Sequence, residues 1–86
     1  MKIEYSNHAK KFIASQDRNT KERIKSAIEN LTKMPAQGDI KLLQGYKIKT
    51  YRLRIGKYRI VYRYDIDTDE HRILFISDID SRGNIY

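Results

Sequence analysis

The residues best suited to chemistry are arginines on both sides of a predicted tight turn. In the run YRLRIGKYRIVYRY, Gly56 and Lys57 form the two-residue loop of a hairpin, and glycine in the first position favours a type II′ turn. With that loop, Arg54 lies directly opposite Arg59 on one face of the sheet. Arg52 lies close by on the same face.

These facing arginines suit phosphate binding better than they suit scaffolding. Like charges opposite each other on a sheet are destabilising, whereas guanidinium groups bind phosphate oxygens bidentately. A preorganised set of them would also stabilise the extra charge of a phosphorane-like transition state. Arg63 extends the same surface. The alternative is that these arginines splay into solvent and do little.

The net charge of the chain is concentrated around the predicted hairpin. The formal charge is +7, and residues 40–64, here called the basic segment, contain eight basic and no acidic residues. The remainder contains ten basic and eleven acidic residues, so the two parts contribute +8 and −1. This distribution is typical of a surface that binds a polyanion. The residues that we expect to contact it are Lys41, Lys47, Lys49, Lys57 and Arg63.

The elements that position the hairpin follow from the hydrophobic periodicity. Before Pro35, the pattern predicts a short strand at IEY and two helices, capped by Ser6 or Asn7 and by Asp17. After Pro35 the period changes to two, which predicts the hairpin and a third strand at HRILFISD. The apolar positions of the second helix are Ile24, Ala27, Ile28, Leu31 and Met34.

This order of elements predicts one α+β domain over residues 1–86. A short N-terminal strand and a two-helix hairpin precede an antiparallel β-meander, with the helices packed on one sheet face. We expect the arginines to face outward, away from the helices. The residues expected to face the helices are Leu53, Ile55, Ile60 and Tyr62.

The composition narrows the class of protein further. With 40% hydrophobic and 34% charged residues in 86, the core must be thin, and a bound partner would help to stabilise it. The chain has no cysteine and only two histidines, so we expect neither a disulfide nor a metal site. No apolar run approaches the ~20 residues that span a bilayer. We therefore expect a soluble, cytoplasmic protein that does not associate with membranes.

Two stretches of the chain resemble a known family. LLQGYKIKTYRLRIGKYRIVYRY and the ending DSRGNIY resemble the RelE-like toxins of type II toxin–antitoxin systems, within the RelE/ParE superfamily. The likeness extends over the two helices and the loop with Pro35. Its most specific parts are YRLRIGKYRIVY and the arginine four residues before a tyrosine, Arg82 and Tyr86.

The resemblance implies a ribosome-dependent mRNA endonuclease, or mRNA interferase, that works by attack of the 2′-hydroxyl and needs no metal ion or other cofactor. Arg54, Arg59 and Arg82 would orient the scissile phosphate and stabilise its transition state. Tyr86 would stack on a base, orient the 2′-hydroxyl or move a proton. The active-site positions implied by the family are Arg52, Arg54, Arg59, Arg82 and Tyr86.

The resemblance also implies the partners. These are a cognate antitoxin, the ribosome with its mRNA, and operator DNA reached only through the antitoxin. An antitoxin with an apolar helical segment and an acidic portion would bury apolar surface and neutralise the basic segment.

This sequence departs from the best-known RelE pattern at two places. Arg52 and Arg54 stand where that pattern has lysines, and an arginine is a poor general base because it stays protonated. Asp80 stands where the pattern has another arginine. Two alternatives therefore stay open: a ParE-like inhibitor of DNA gyrase, and a catalytically silent corepressor that only binds its antitoxin. The joint presence of the hairpin arginines, Arg82 and Tyr86 favours the nuclease.

Overall fold

The computed structural model describes residues 1–81. A single five-stranded sheet has the strand order β1-β5-β4-β3-β2, and the two helices precede its last four strands in the chain. The α+β arrangement expected from the sequence is confirmed. The elements are β1 (Lys2–Tyr5), α1 (Asn7–Ala14), α2 (Arg18–Glu29), a 3-10 turn (Asn30–Thr32), β2 (Asp39–Leu43), β3 (Thr50–Ile55), β4 (Tyr58–Ile66) and β5 (Arg72–Ser81).

Both helices begin at a side-chain cap, as the sequence predicted. The Ala9 N–H donates to Ser6 Oγ at 3.1 Å, and the Thr20 N–H donates to Asp17 Oδ1 at 2.7 Å. These bonds satisfy amides that have no partner within the first helical turn. Hydrogen bonds from the backbone and side chain of Thr20 also hold the pKa of Asp17 below its ordinary value.

The end of the second helix differs from the prediction. Helix α2 ends at Glu29, and the 3-10 turn that follows still buries Leu31. Met34 was expected on the same apolar face, but it is 84% exposed. The backbone of Lys33 is already extended, so Met34 lies beyond the helical turns and not on their apolar face. Pro35 also disfavours a helical conformation of Met34.

The sheet contains two pairings that the periodicity did not reveal. Strand β2 pairs antiparallel with β3 and forms one edge of the sheet, whereas only three strands were predicted after Pro35. Strand β1 pairs parallel with β5 at the other edge. Strands β1 and β5 are distant in the chain, and β2 and β3 are joined by an irregular connection. Neither pairing therefore has a local turn motif by which it could be predicted.

The core lies between the helices and one face of the sheet. Leu53, Ile60 and Tyr62 are buried there, and the half-buried Ile55 packs against them, as predicted. Burial raises the pKa of Tyr62. The helix side of the core contributes Ala9, Ile13, Ile24, Ile28 and Leu31.

The acidic stretch DIDTDE closes the connection from β4 to β5. The Asp67 carboxylate accepts the N–H groups of Asp69 and His71, each at 2.9 Å. Ligand-type atoms of these three residues lie within 4.8 Å of one another, but the Asp67 carboxylate is occupied by closing the turn. Within residues 1–81, no helix is long and apolar enough to cross a membrane.

Candidate functional site

The hairpin between β3 and β4 has the register that its turn residues predicted. Gly56 has a φ of +56°, and Lys57 does not share this positive φ, which is the combination of a type II′ turn. Ile55 therefore pairs with Tyr58, and Arg54 pairs with Arg59. The predicted juxtaposition of two arginines on the face away from the helices is confirmed.

These two arginines are the centre of a row of four charges. In the sheet register Asp39 on β2 pairs with Arg54, Arg54 pairs with Arg59, and Arg59 pairs with Asp80 on β5. We call these four residues the charged row. Across the four strands the charges run negative, positive, positive, negative. An acid at each end offsets the repulsion of the central pair, which explains how the sheet tolerates it.

Arg52 lies in the next row of the same face, and it differs from the prediction. Its Cα partners are Lys41 on β2 and Val61 on β4. We expected the side chain to face outward, away from the helices, and it does lie on the outer face. Its burial was not expected: Arg52 is only 6% exposed, whereas Arg54, two residues further along the same strand, is half exposed.

The guanidinium of Arg52 is poorly satisfied. Its Nη1 is buried and has no hydrogen-bond partner, and its Nη2 is 3.9 Å from Asp39 Oδ1, which is an ion pair without a hydrogen bond. A buried donor without a partner costs about 1–3 kcal/mol, and more when it is charged. The charge of Arg52 is therefore only partly offset by the residues around it.

Arg52 is one of the residues that line a cavity of about 200 Å³ on this face. Its walls carry four positive side chains and one apolar one. A second cavity of about 190 Å³, at the hairpin turn, shares Arg54 and Arg59 with it. We call the first the arginine cavity; it is lined by Lys41, Leu43, Arg52, Arg54 and Arg59. A phosphate diester group in it would meet several guanidinium forks at once.

Arg63, on the same face, makes its contacts outside the arginine cavity. Its Nε donates to Asp65 Oδ2 at 3.1 Å, and its guanidinium lies 4.3 Å from the centre of the Phe75 ring. It does not line the arginine cavity. Its predicted contact with a polyanion therefore stays a prediction, and the side chain is a useful reference for the arginines that do line the cavity.

Three of the remaining predicted residues, all lysines, lie in the part of the chain that the structure describes. Lys57 lines the second cavity, and its Nζ lies 5.4 Å from the centre of the Tyr58 ring. Lys47 and Lys49 are exposed in the connection between β2 and β3. Arg82 and Tyr86 lie outside the described residues, so the structure does not place them.

One residue of the site was missed by the sequence reasoning. Asp39 approaches both Arg52 and Arg54, yet the basic segment was delimited to begin at Ile40, one residue later. The alternation in DIKLL could have indicated a strand. Pairing it with β3 would then have placed Asp39 opposite Arg54.

The fold and the site together define an α+β protein with a cluster of cations around a cavity on the outer face of its sheet. The family model of the ParE toxin of type II toxin–antitoxin systems, parDE, matches residues 3–86. The chain therefore belongs to the ParE toxin family, and the resemblance to the RelE/ParE superfamily is confirmed.

A solved structure shares the fold. The toxin–antitoxin complex RelBE2 from Mycobacterium tuberculosis contains a chain that superimposes with a TM-score of 0.68 at 18% sequence identity. The match covers 94% of this chain and 96% of that one. A search of curated proteins finds no match.

Proposed function

We propose that this toxin is a ribosome-dependent mRNA endonuclease that cleaves by attack of the 2′-hydroxyl on the adjacent phosphate. The observation that carries the proposal is the arginine cavity, whose lining brings four cations together on one face of the sheet. Such a cluster suits a phosphate diester, because several guanidinium groups can donate to its oxygens at once. Arg52, which is incompletely hydrogen-bonded, adds to the positive charge of this cavity.

The chemistry follows from where the charge develops. As the 2′-oxygen attacks, the phosphate gains negative charge, and guanidinium groups fixed by a sheet stabilise that charge without reorganisation. Arg54 and Arg59, held opposite each other, are suited to grip two different oxygens. The positive side chains of the cavity supply the stabilisation that a divalent cation supplies in other nucleases. The proposed reaction is therefore independent of metal ions.

The family resemblance adds two residues to this site. Arg82 would hold the scissile phosphate together with Arg54 and Arg59. Tyr86 would stack on a base, orient the 2′-hydroxyl or carry a proton. These roles remain proposals from the resemblance.

We further propose that a cognate antitoxin covers the arginine cavity and so competes with RNA. An acidic segment would neutralise the cations, and apolar side chains would bury Tyr46 and Ile48, which are 56% and 55% exposed beside Lys47 and Lys49. Operator DNA would be bound only through the antitoxin. Ribosomal RNA and the mRNA would meet the same basic segment in its absence.

The experiment is single-turnover cleavage of mRNA on programmed ribosomes, with the RNA ends mapped. We expect Arg54→Ala and Arg59→Ala to lower the rate by about 10²–10³, as the loss of one preorganised electrostatic donor does elsewhere. Arg63→Ala is the matched control, because it removes an arginine of the same face that does not line the cavity. Circular dichroism checks that each variant is folded. Full activity of folded Arg54→Ala and Arg59→Ala would refute the proposed site.

The second candidate is inhibition of DNA gyrase. The observation that favours it is the family itself, since the matching model is that of the ParE toxin. A supercoiling assay with purified gyrase discriminates the two: inhibition by the unmodified toxin, without any cleavage of mRNA, would select gyrase. A protein inactive in both assays that still binds its antitoxin would be the silent corepressor.

A further inference from the structure

The proposed cleavage requires a group that removes the proton from the attacking 2′-hydroxyl. Arginines cannot do this because the guanidinium group stays protonated in proteins. We propose that Asp39, at the β2 end of the charged row, is this proton acceptor. The inference rests on the proposed nuclease function and assigns a catalytic residue to it.

The Asp39 carboxylate lies near two arginines of the cavity but is not hydrogen-bonded to them. Its Oδ1 lies 3.9 Å from Arg52 Nη2, and its Oδ2 lies 4.0 Å from Arg54 Nε. Both distances are beyond hydrogen-bond range. The Asp39 side chain is also 60% exposed, so its oxygens are open to a substrate. A carboxylate in this state has lone pairs available to accept a proton.

The other acids near the cavity are occupied differently. Asp80, at the far end of the charged row, accepts the Ser81 N–H at 2.7 Å. Asp78 lies opposite Val61 and pairs with His8, whose Nε2 is 2.8 Å from Asp78 Oδ1. Among residues 1–81, Asp39 is thus the carboxylate that approaches both Arg52 and Arg54.

Asp39 lies close to the place that a bound phosphate would take. A phosphate bound by Arg52 and Arg54 places its phosphorus within a few ångströms of the guanidinium groups. In a near-attack arrangement the ribose 2′-oxygen lies ~3–3.5 Å from that phosphorus. Asp39 approaches the same two guanidinium groups at about 4 Å, so it is on the part of the sheet where the 2′-hydroxyl would be.

The step balances without another reactant. The 2′-hydroxyl proton passes to the Asp39 carboxylate as the bond from O2′ to phosphorus forms. The bond from phosphorus to O5′ breaks, its electron pair leaves on the 5′-oxygen, and that oxygen takes a proton from water. Asp39 then returns its proton to solvent. The products are a 2′,3′-cyclic phosphate and a 5′-hydroxyl end.

The test is Asp39→Asn, which keeps the shape of the side chain but removes both the proton acceptor and a negative charge. We expect the single-turnover rate constant to fall by about 10²–10⁴, the usual contribution of a general base. RNA should nevertheless bind about two- to fivefold more tightly, because a carboxylate no longer opposes the phosphate. If Asp39 were only a counterion of the arginines, Asp39→Asn would bind RNA more tightly and cleave it equally fast or faster. Measuring RNA affinity and cleavage rate separately therefore distinguishes the two roles.

Two further variants complete the experiment. Asp39→Gly with added formate should recover part of the lost rate, since a small carboxylate can occupy the vacated space and accept the proton. Asp69→Asn makes the same charge change in the β4–β5 turn and should leave the rate unaltered. The inference would be overturned if Asp39→Asn cleaved RNA at the unmodified rate and formate did not speed up Asp39→Gly. The proposed nuclease function would still stand in that case. If the unmodified toxin cleaves no RNA, the proposed function and the inference fall together.

Discussion

Replacing Arg52 by methionine should make the free protein more stable and less active at the same time. The unbranched thioether side chain can follow the path of the arginine stem between Lys41 and Val61. It removes the guanidinium of a residue that is only 6% exposed, in which one nitrogen lacks a hydrogen-bond partner. Stability and function are therefore expected to move in opposite directions, as they do where a site is built from unsatisfied groups.

The magnitude follows from the contacts. Relieving a buried, unpartnered donor returns about 1–3 kcal/mol. The loss is the ion pair to Asp39 at 3.9 Å, which is worth less than about 1 kcal/mol because Asp39 is largely exposed. The net gain lies between about 0 and 3 kcal/mol, with about 1–2 kcal/mol at its middle. Each kcal/mol corresponds to a rise in Tm of roughly 4–8 °C in a domain of this size.

Thermal unfolding with and without inorganic phosphate measures both effects. Bound phosphate should stabilise the unmodified toxin by about 1.4 kcal/mol at ten times its dissociation constant. Arg52→Met should lose most of this increment, whereas Arg63→Ala should keep it. Cleavage on programmed ribosomes should fall by about 10²–10³ in Arg52→Met.

Two results would contradict this reasoning. If Arg52→Met lowered the Tm by more than a few degrees, the guanidinium would be a structural group that the fold needs. If phosphate stabilised Arg52→Met and the unmodified toxin equally, the arginine cavity would not be the anion site.

Other parts of the molecule allow equally direct tests. Tyr64→Phe removes the hydrogen bond from the Tyr64 hydroxyl to the Leu31 carbonyl at 2.8 Å and should cost about 1 kcal/mol in urea unfolding. The lowered pKa of Asp17 implies a stabilisation that is present above the ordinary aspartate pKa and lost as the pH falls through the lowered value. A serine in Asp17→Ser can also cap the helix, but it does not titrate. The difference in the free energy of unfolding between the unmodified protein and Asp17→Ser should therefore shrink as the pH falls below about 4. Replacing Lys47 and Lys49 by alanine should reduce the salt slope of RNA binding by about 0.7 each if both contact phosphates.

Local sequence determined the hairpin at the centre of the site. A two-residue loop leaves one register available, so Gly56 and Lys57 alone place Arg54 opposite Arg59. The caps at Ser6 and Asp17 were predictable for the same reason, since each bond spans three residues. The roles of Arg82 and Tyr86 rest on the family resemblance, and these two residues lie outside the described structure.

Only the tertiary structure decided how the site is enclosed. Strand β2 has a weak pattern and exists as a strand through its pairing with β3, which brings Asp39 to Arg54. The alternation of β3 predicts that Arg52 lies on the outer face of the sheet, but only the structure shows that it is buried there. Turns and caps depend on a few adjacent residues, whereas strand order and burial depend on what the whole chain places around a position. The positive charge of the site can thus be predicted from the basic segment alone. The incomplete hydrogen bonding of Arg52 and the approach of Asp39 depend on how β2, β3 and β4 pack together.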